Sequence, residues 1–405
     1  MTGHKTKVMT VVGTRPEIIR LSRVIARLES TVDHVLVHTG QNWDRSLSEV
    51  FFDDLDLPSP DRHLGVDTSS LGRVYGGVLI GTEAAIAHER PDALLVLGDT
   101  NSALAAVMAR RVKVPVYHME AGNRCFDQNV PEETNRRLVD HVADFNLVYT
   151  EHARRNLLAE GIHPRRILLT GSPMREVLEH YREDIARSTV LARLGLRPDE
   201  FFLVSAHREE NVDDPDRLAR LLACLRAVRD RWRLPVLVST HPRTRKRLEA
   251  RAGGDADLDG IAFHEPFGFL DYVHLQTKAR CTLSDSGTIS EESAILGFAA
   301  VTLRDSIERP ESLDAGSIIM TGLDPAGVVE AVEVAVEQAG AEGVPCAGDY
   351  RITDASRRVV NFILSTVRRH HEWAGVRAPG PQADQGTRPA PEIGGTCDVE
   401  LAIHG

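Results

Sequence analysis

No apolar run in this 405-residue chain is long enough to span a bilayer, so no transmembrane helix is expected. Surplus positive charge is also missing. Lys and Arg number 48 against 59 Asp and Glu, a formal net charge of -11. Nucleic-acid binding draws its affinity from cations that neutralise phosphates, so no nucleic-acid partner is expected, while the charge leaves room for a local basic pocket holding a small phosphorylated ligand. Cysteine is sparse: Cys125, Cys224, Cys281, Cys346 and Cys397 stand apart, form no CxxC pair and are odd in number. That favours a cytoplasmic protein with reduced thiols over a zinc module or disulfide scaffold. The polar start, Met1 to Lys7, runs straight into a strand-like segment, so no signal peptide is expected. No GxGxxG follows a strand, no GxxxxGK[ST] loop occurs and no HExxH is present. Neither a nicotinamide site, a P-loop nor a metal is therefore indicated, and no cofactor is expected.

What is present is a soluble globular composition, 42% hydrophobic and 26% charged, in a chain too long for one ordinary core. Short apolar runs alternate with helical patterns: VMTVV (8–12), HVLVH (34–38), ALLVLG (93–98), VPVYHM (114–119), FNLVYT (145–150) and RILLTG (166–171). After about residue 175 the pattern restarts, with FFLVSAH (201–207), LPVLVSTH (234–241), GIAFHEP (260–266), ARCTLSD (279–285) and AAVTLR (299–304). Continuous apolar strands separated by amphipathic helices indicate parallel sheets covered on both faces. The expected fold is α/β, with two Rossmann-like, doubly wound domains facing a cleft. Their expected extents are 1–175 and 176–352. A last helix at 353–373, with Val359, Val360, Ile363, Leu364 and Val367 as its apolar side, is expected to pack on the first domain. From Gly375 the chain is rich in Gly, Pro and polar residues and reads as a disordered tail.

Ligands in open α/β sheets bind beyond the carboxyl ends of the strands, and the unusual chemistry lies there. Gly13-Thr-Arg-Pro-Glu17 turns a strand into a helix, whose free N–H groups and dipole suit an anion, with Arg15 and Arg20 as added cations. Read as ordinary structure, it is a solvated turn. Ser286, Gly287 and Thr288 begin a second helix after a strand, a second cradle for phosphate or simply a well-capped start. Glu292, further into that helix, is placed to accept from ribose hydroxyls. Asp99 in LGDTN and Glu120 in HMEAGNR sit on strand tips. VPEETNRR offers Glu132 and Glu133 at a helix start, with Arg136 one turn on; Glu133 there reads as a capping or solvated carboxylate. Carboxylates converging on one cleft are what proton abstraction and return require. His207 in HREEN and Arg309 in RDSIERPES complete the candidates, and EPFGFLDY at 265–272 supplies aromatics that could flank a flat base or fill a core.

These motifs, in order from about Val8 to Gly322, resemble the non-hydrolysing UDP-N-acetylglucosamine 2-epimerase family: GTRPE, GDT, MEAG, PEETNR, HREEN, DSGTISEE and ERPE. The resemblance implies the two-domain fold of the B-type (GT-B) glycosyltransferases, a UDP-sugar in the cleft, a homodimer and no cofactor. It implies elimination of UDP to a 2-acetamidoglucal, then re-addition with a proton on the other face of C2. By motif match Asp99, Glu120, Glu132 and His207 are catalytic, with the individual acid and base roles open. Arg15, Arg20, Arg136, Tyr272, Ser286, Gly287, Thr288, Glu292 and Arg309 are substrate contacts, Tyr272 near the uracil. The sequence departs from the family pattern with Arg20 for Lys, Thr288 for a second Gly and TGQN at 39–42 for TGQH. That last region helps many members bind a second, activating UDP-GlcNAc. MEAGNRCFDQNVPEETNR, SAHREEN, STHPRTRKR and SDSGTISEES look closer to a capsule and O-antigen subgroup that forms UDP-N-acetyl-L-fucosamine from UDP-2-acetamido-2,6-dideoxy-L-talose. A GT-B glycosyltransferase, a hydrolysing epimerase and a sugar-nucleotide-binding regulator are the rival readings.

Overall fold

The computed structural model describes residues 5–40, 52, 55–206, 208, 211, 214–240 and 258–377. His207, Gln41, Asn42 and the turn at 241–243 lie outside the described residues, as does the chain beyond Arg377. Residues 1–368 make one compact unit and 369–405 a second, whose described part holds a short helix, His370–Trp373.

The first unit is built on two parallel sheets. Strands β1 (Lys7–Val12), β2 (Asp33–His38), β3 (Arg62–His63), β4 (Ala93–Leu97), β5 (Val116–Met119), β6 (Phe145–Val148) and β7 (Ile167–Leu169) form a seven-stranded sheet in the order β3-β2-β1-β4-β5-β6-β7. Strands β8 (Phe202–Ser205), β9 (Val236–Ser239), β10 (Ile261–His264), β11 (Cys281–Ser284), β12 (Ala300–Thr302) and β13 (Ile319–Met320) form a six-stranded sheet in the order β10-β9-β8-β11-β12-β13. Alternate residues of β1 go to opposite cores: Val8 and Val12 to one cluster, Met9 and Val11 to the other. Both faces are buried, which is why the strands read as unbroken apolar runs. Helix α1 (Arg15–Thr31) buries Ile18, Leu21, Val24, Ile25 and Leu28, the stripe its 3.6-residue period predicts.

The last helix of this unit is shorter than expected, Ala355–Thr366: it starts two residues later, after Asp354, and ends before a turn at 367–369. Val359, Val360 and Ile363 join the cluster that holds Val8 and Leu21, whereas Leu364 is exposed. Each sheet reverses its winding between two central strands, β1 and β4 in one, β8 and β11 in the other. A crevice opens at the carboxyl ends of such pairs. Among the described residues Gly13–Glu17, Asp99 and Ser286–Thr288 follow those strands directly, Glu120 and Arg309 follow the strands beside them, and Tyr272 follows β10 at the sheet edge.

Candidate active site

At the tip of β1 the anion is already inside the protein. Glu17, 1% exposed, accepts from the Gly13 and Thr14 amides at 2.9 and 2.7 Å and from Thr14 Oγ1 at 2.8 Å on one carboxylate oxygen. Its other oxygen accepts from Thr100 Oγ1 at 2.9 Å and Ser102 Oγ at 2.5 Å. Burial pushes this carboxyl above its ordinary range even against those bonds. The expectation that these turn amides are open to a ligand is corrected for Gly13 and Thr14: both are spent on a capping box. Glu17 thereby ties the turn carrying Arg15 to the loop after β4. Gly13 is required for this approach, since a Cβ there would lie 2.3 Å from Thr39 Oγ1.

The loop after β4 presents Asp99, which accepts from Arg136 Nε at 3.0 Å and Nη2 at 2.6 Å. Arg136 stands on helix α2 (Glu132–Val142), and its neighbour Asn135 donates to the Asp99 carbonyl at 3.0 Å. Glu133 is corrected from a solvated residue to a buried one. It accepts from Arg136 Nη1 at 2.9 Å and Arg137 Nη2 at 2.9 Å, and from the Cys125 thiol at 3.3 Å, because the loop from Cys125 folds back over the helix start. Glu132, the other acid at that start, is half-buried, and among the described residues its carboxylate makes no hydrogen bond or ion pair.

Glu120, at the tip of β5, has φ of 63°, the left-handed region that costs a side-chain-bearing residue strain. The turn aims its carboxylate at two guanidiniums from opposite halves. Arg20 of α1 donates to Oε2, and Arg309 donates to Oε1 at 2.7 Å. Arg309 caps a short helix, Pro310–Asp314, in the second half, and its Nη1 donates at 2.8 Å to Glu291. The chain Arg20–Glu120–Arg309–Glu291 therefore crosses between the sheets.

On the second half, helix α3 (Phe269–Lys278) carries Tyr272, packed with Phe267 against the buried Phe201, Leu203 and Leu275. Helix α4 (Ile289–Leu296) follows the tip of β11, with Thr288 as its N-cap. Ser286 Oγ accepts from the Thr288 amide at 3.3 Å and lies 3.0 Å from its hydroxyl. Glu292 accepts from Gln276 Nε2 at 2.6 Å. Glu291, one residue earlier, is wholly buried; burial raises its carboxyl to about 7, against the pull of Arg309 and Arg20. Folded Glu291 thus holds a proton more tightly than unfolded Glu291. Its contribution to stability is full below pH 4.5 and is lost as the pH rises through 7, a change of about 3 kcal/mol. We expect Glu291→Gln to abolish that part of the slope in urea melts at pH 5 and pH 8; parallel slopes in the two proteins would refute it. Among the described residues no group of three His, Cys, Asp or Glu side chains is placed to hold a metal.

Residues 26–364 match the sequence profile of the family described as UDP-N-acetylglucosamine 2-epimerase. The chain belongs to that family. The UDP-N-acetylglucosamine 2-epimerase of Methanocaldococcus jannaschii is 37% identical over 335 residues, covering 81% of this chain and 92% of its own. The UDP-2,3-diacetamido-2,3-dideoxy-D-glucuronate 2-epimerase of Pseudomonas aeruginosa is 34% identical over 336 residues, 82% of this chain and 92% of its own. Among solved structures, the Rickettsia bellii UDP-N-acetylglucosamine 2-epimerase is similar at a TM-score of 0.86 and 42% identity, covering 92% of this chain and 100% of its own. The M. jannaschii enzyme in complex with UDP-GlcNAc and UDP is similar at a TM-score of 0.82 and 33% identity, covering 89% and 100%. The two-sheet α/β architecture is that of these epimerases, and the chain is an isomerase of this family.

The structure brings Arg20, Glu120 and Arg309 into one contact chain and pairs Asp99 with Arg136. It leaves Glu132 apart from both and sets Tyr272, Ser286, Thr288 and Glu292 on the second half. Sequence reasoning missed Glu17, Glu291, Arg304 and Glu308. Glu17 had a signal, a glutamate three places after a threonine N-cap. Glu291 and Glu308 had none, since no local pattern marks a glutamate that the fold buries against an arginine.

Proposed function

We propose that this chain inverts C2 of a UDP-N-acetylhexosamine, UDP-GlcNAc/UDP-ManNAc or a related 2-acetamido sugar, without a cofactor. The observation that carries it is the Glu120 carboxylate held between Arg20 of one half and Arg309 of the other, with Asp99 and Arg136 on the neighbouring tip. The C2 proton of such a sugar has no adjacent carbonyl to acidify it. Elimination resolves this: the C1–O bond to UDP breaks with its electron pair going to UDP, the C2 proton goes to a carboxylate, and a 2-acetamidoglucal remains. Re-addition returns UDP to C1 and a proton to the opposite face of C2. Asp99, Glu120 and Glu132 are the acid and base groups, since proton donors and acceptors must stand on both faces. Arg15, Arg20, Arg136, Arg309, His207 and the Ser286–Gly287–Thr288 turn stabilise the departing diphosphate. Tyr272 flanks the uracil and Glu292 accepts from the ribose. The division into 1–175 with 353–373 and 176–352 belongs to this reading, supported by the burial of Val359, Val360 and Ile363 against first-sheet residues. So do a homodimer and a cytoplasmic setting; the four described cysteines are free, which supports the latter.

The finer substrate alternative is UDP-2-acetamido-2,6-dideoxy-L-talose, giving UDP-N-acetyl-L-fucosamine, on the subgroup motifs quoted above. Both are tested by incubating the protein in D2O with a panel of UDP-2-acetamido sugars and following C2 by NMR. Deuterium enters C2 of the true substrate, and UDP with a glycal accumulates slowly. No exchange on any sugar would overturn the reading; stoichiometric free sugar would identify a hydrolysing epimerase instead, and transfer to an acceptor without C2 exchange a glycosyltransferase.

A further inference from the structure

The start of helix α4 faces a carboxylate of the protein itself. A Cβ added at Gly287 would stand 2.4 Å from Glu308 Oε1 and 3.8 Å from Arg304 Nη1. Glycine at this position is what lets the Glu308 carboxylate lie against the helix start. Glu308, 8% exposed, accepts from Arg208 Nη2 at 3.3 Å on Oε1, and its Oε2 is 2.5 Å from Arg304 Nη1. Burial alone would push this carboxyl up. Arg304, Arg208, Arg136 and Arg309 outweigh it and hold Glu308 well below the usual carboxylate range, so it is a permanent anion.

Arg304 is the unusual member. It is 2% exposed, and its Nε, Nη1 and Nη2 are all buried without a hydrogen bond. Among the described residues its one ion pair is with Glu308, close but out of line for a hydrogen bond. A guanidinium carries five N–H donors in a planar fork, and leaving a buried fork unsatisfied is costly. A carboxylate matches this fork poorly here. A tetrahedral phosphate offers more oxygens, spread over more directions, to the same donors and to the helix start.

We propose that Glu308 is a resident anion of the diphosphate site, and that a phosphate of the UDP-sugar exchanges with its carboxylate for Arg304 and the α4 N-terminus. This rests on the reading of the Ser286–Thr288 turn as the seat of the substrate's phosphates. The exchange keeps Arg304 charge-paired at every stage of turnover. It also opposes UDP binding by the work of displacing Glu308, which favours release of product from a site lined with arginines. Arg304 then becomes a substrate contact.

The test measures UDP and inorganic pyrophosphate binding by calorimetry, and melting with and without UDP, in wild type and Glu308→Gln. The glutamine keeps the shape and removes the competing charge. UDP and pyrophosphate are expected to bind Glu308→Gln at least about tenfold more tightly than wild type, since Arg304 has lost its internal partner. The variant melts below wild type without UDP and gains more from saturating UDP than wild type does. Glu308→Asp, which keeps the charge but draws it back by one methylene, is expected to fall between, and decides by the same measurements if the glutamine variant does not fold. A purely structural Glu308 predicts the reverse: weaker UDP binding as the arginines lose their organiser. Equal or weaker binding in both variants overturns the inference while leaving the proposed function standing. Failure of wild type to bind UDP overturns both.

Discussion

Glu120→Gln lowers turnover by about 10²-fold or more while UDP still binds. The substitution keeps the side chain's shape and the left-handed turn, so the loss reports charge and proton transfer. Glu120 accepts from a guanidinium of each half at once, Arg20 and Arg309. Without the carboxylate, two guanidiniums face each other across a neutral amide, and the proton acceptor is gone. Asp99→Asn is expected to lose a similar factor, because the amide cannot take a proton and its pairing with Arg136 weakens to a neutral acceptor. Steady-state rates and C2 deuterium exchange measured together check this: both fall together if the proton step is hit. Wild-type exchange in either variant would remove that residue from the acid/base set.

Asp140→Ala costs about 2–4 kcal/mol of unfolding free energy, because it leaves the buried Arg124 with Glu160 as its remaining partner and strips the buried Gly122 amide of its acceptor. Asp140 is wholly buried and accepts from Arg124 Nη1 at 2.7 Å and from the Gly122 amide at 3.0 Å, with His118 Nδ1 at 2.9 Å. The far nitrogen of His118 donates to the Gly98 carbonyl at 2.7 Å. One carboxylate therefore holds the backbone on either side of the site, just before Asp99 and just after Glu120. Denaturant melts of the variant measure the cost. Disrupting the exposed pair Arg187–Asp184 is the control, expected to change stability by less than about 1 kcal/mol. Equal, small effects from the two would show that the Asp140 cluster carries no special stability.

Much of this was legible along the chain. The alternation of apolar runs with amphipathic helices predicted two sets of parallel strands, because strand and helix periods are local and burial on both faces leaves an unbroken apolar signature. The candidate tips were legible for the same reason: a glycine or carboxylate directly after such a run must sit at a carboxyl end. From the sequence Glu133 reads as capping or solvated, because acids at helix starts commonly are; the fold-back of the loop at Cys125 buries it.

The sequence by itself determined which residues stand on the tips, and its negative net charge left a local pocket as the place where a phosphate could be met. The tertiary structure decided who pairs with whom. Glu17 reaches Ser102, Glu120 takes Arg309 from 189 residues away, and Glu308 takes the place beside Gly287. The reason is physical. Periodicity acts over one or two turns of chain, but a buried charge is settled by whichever opposite charge the fold brings within a few ångströms, and that distance is written in no local pattern.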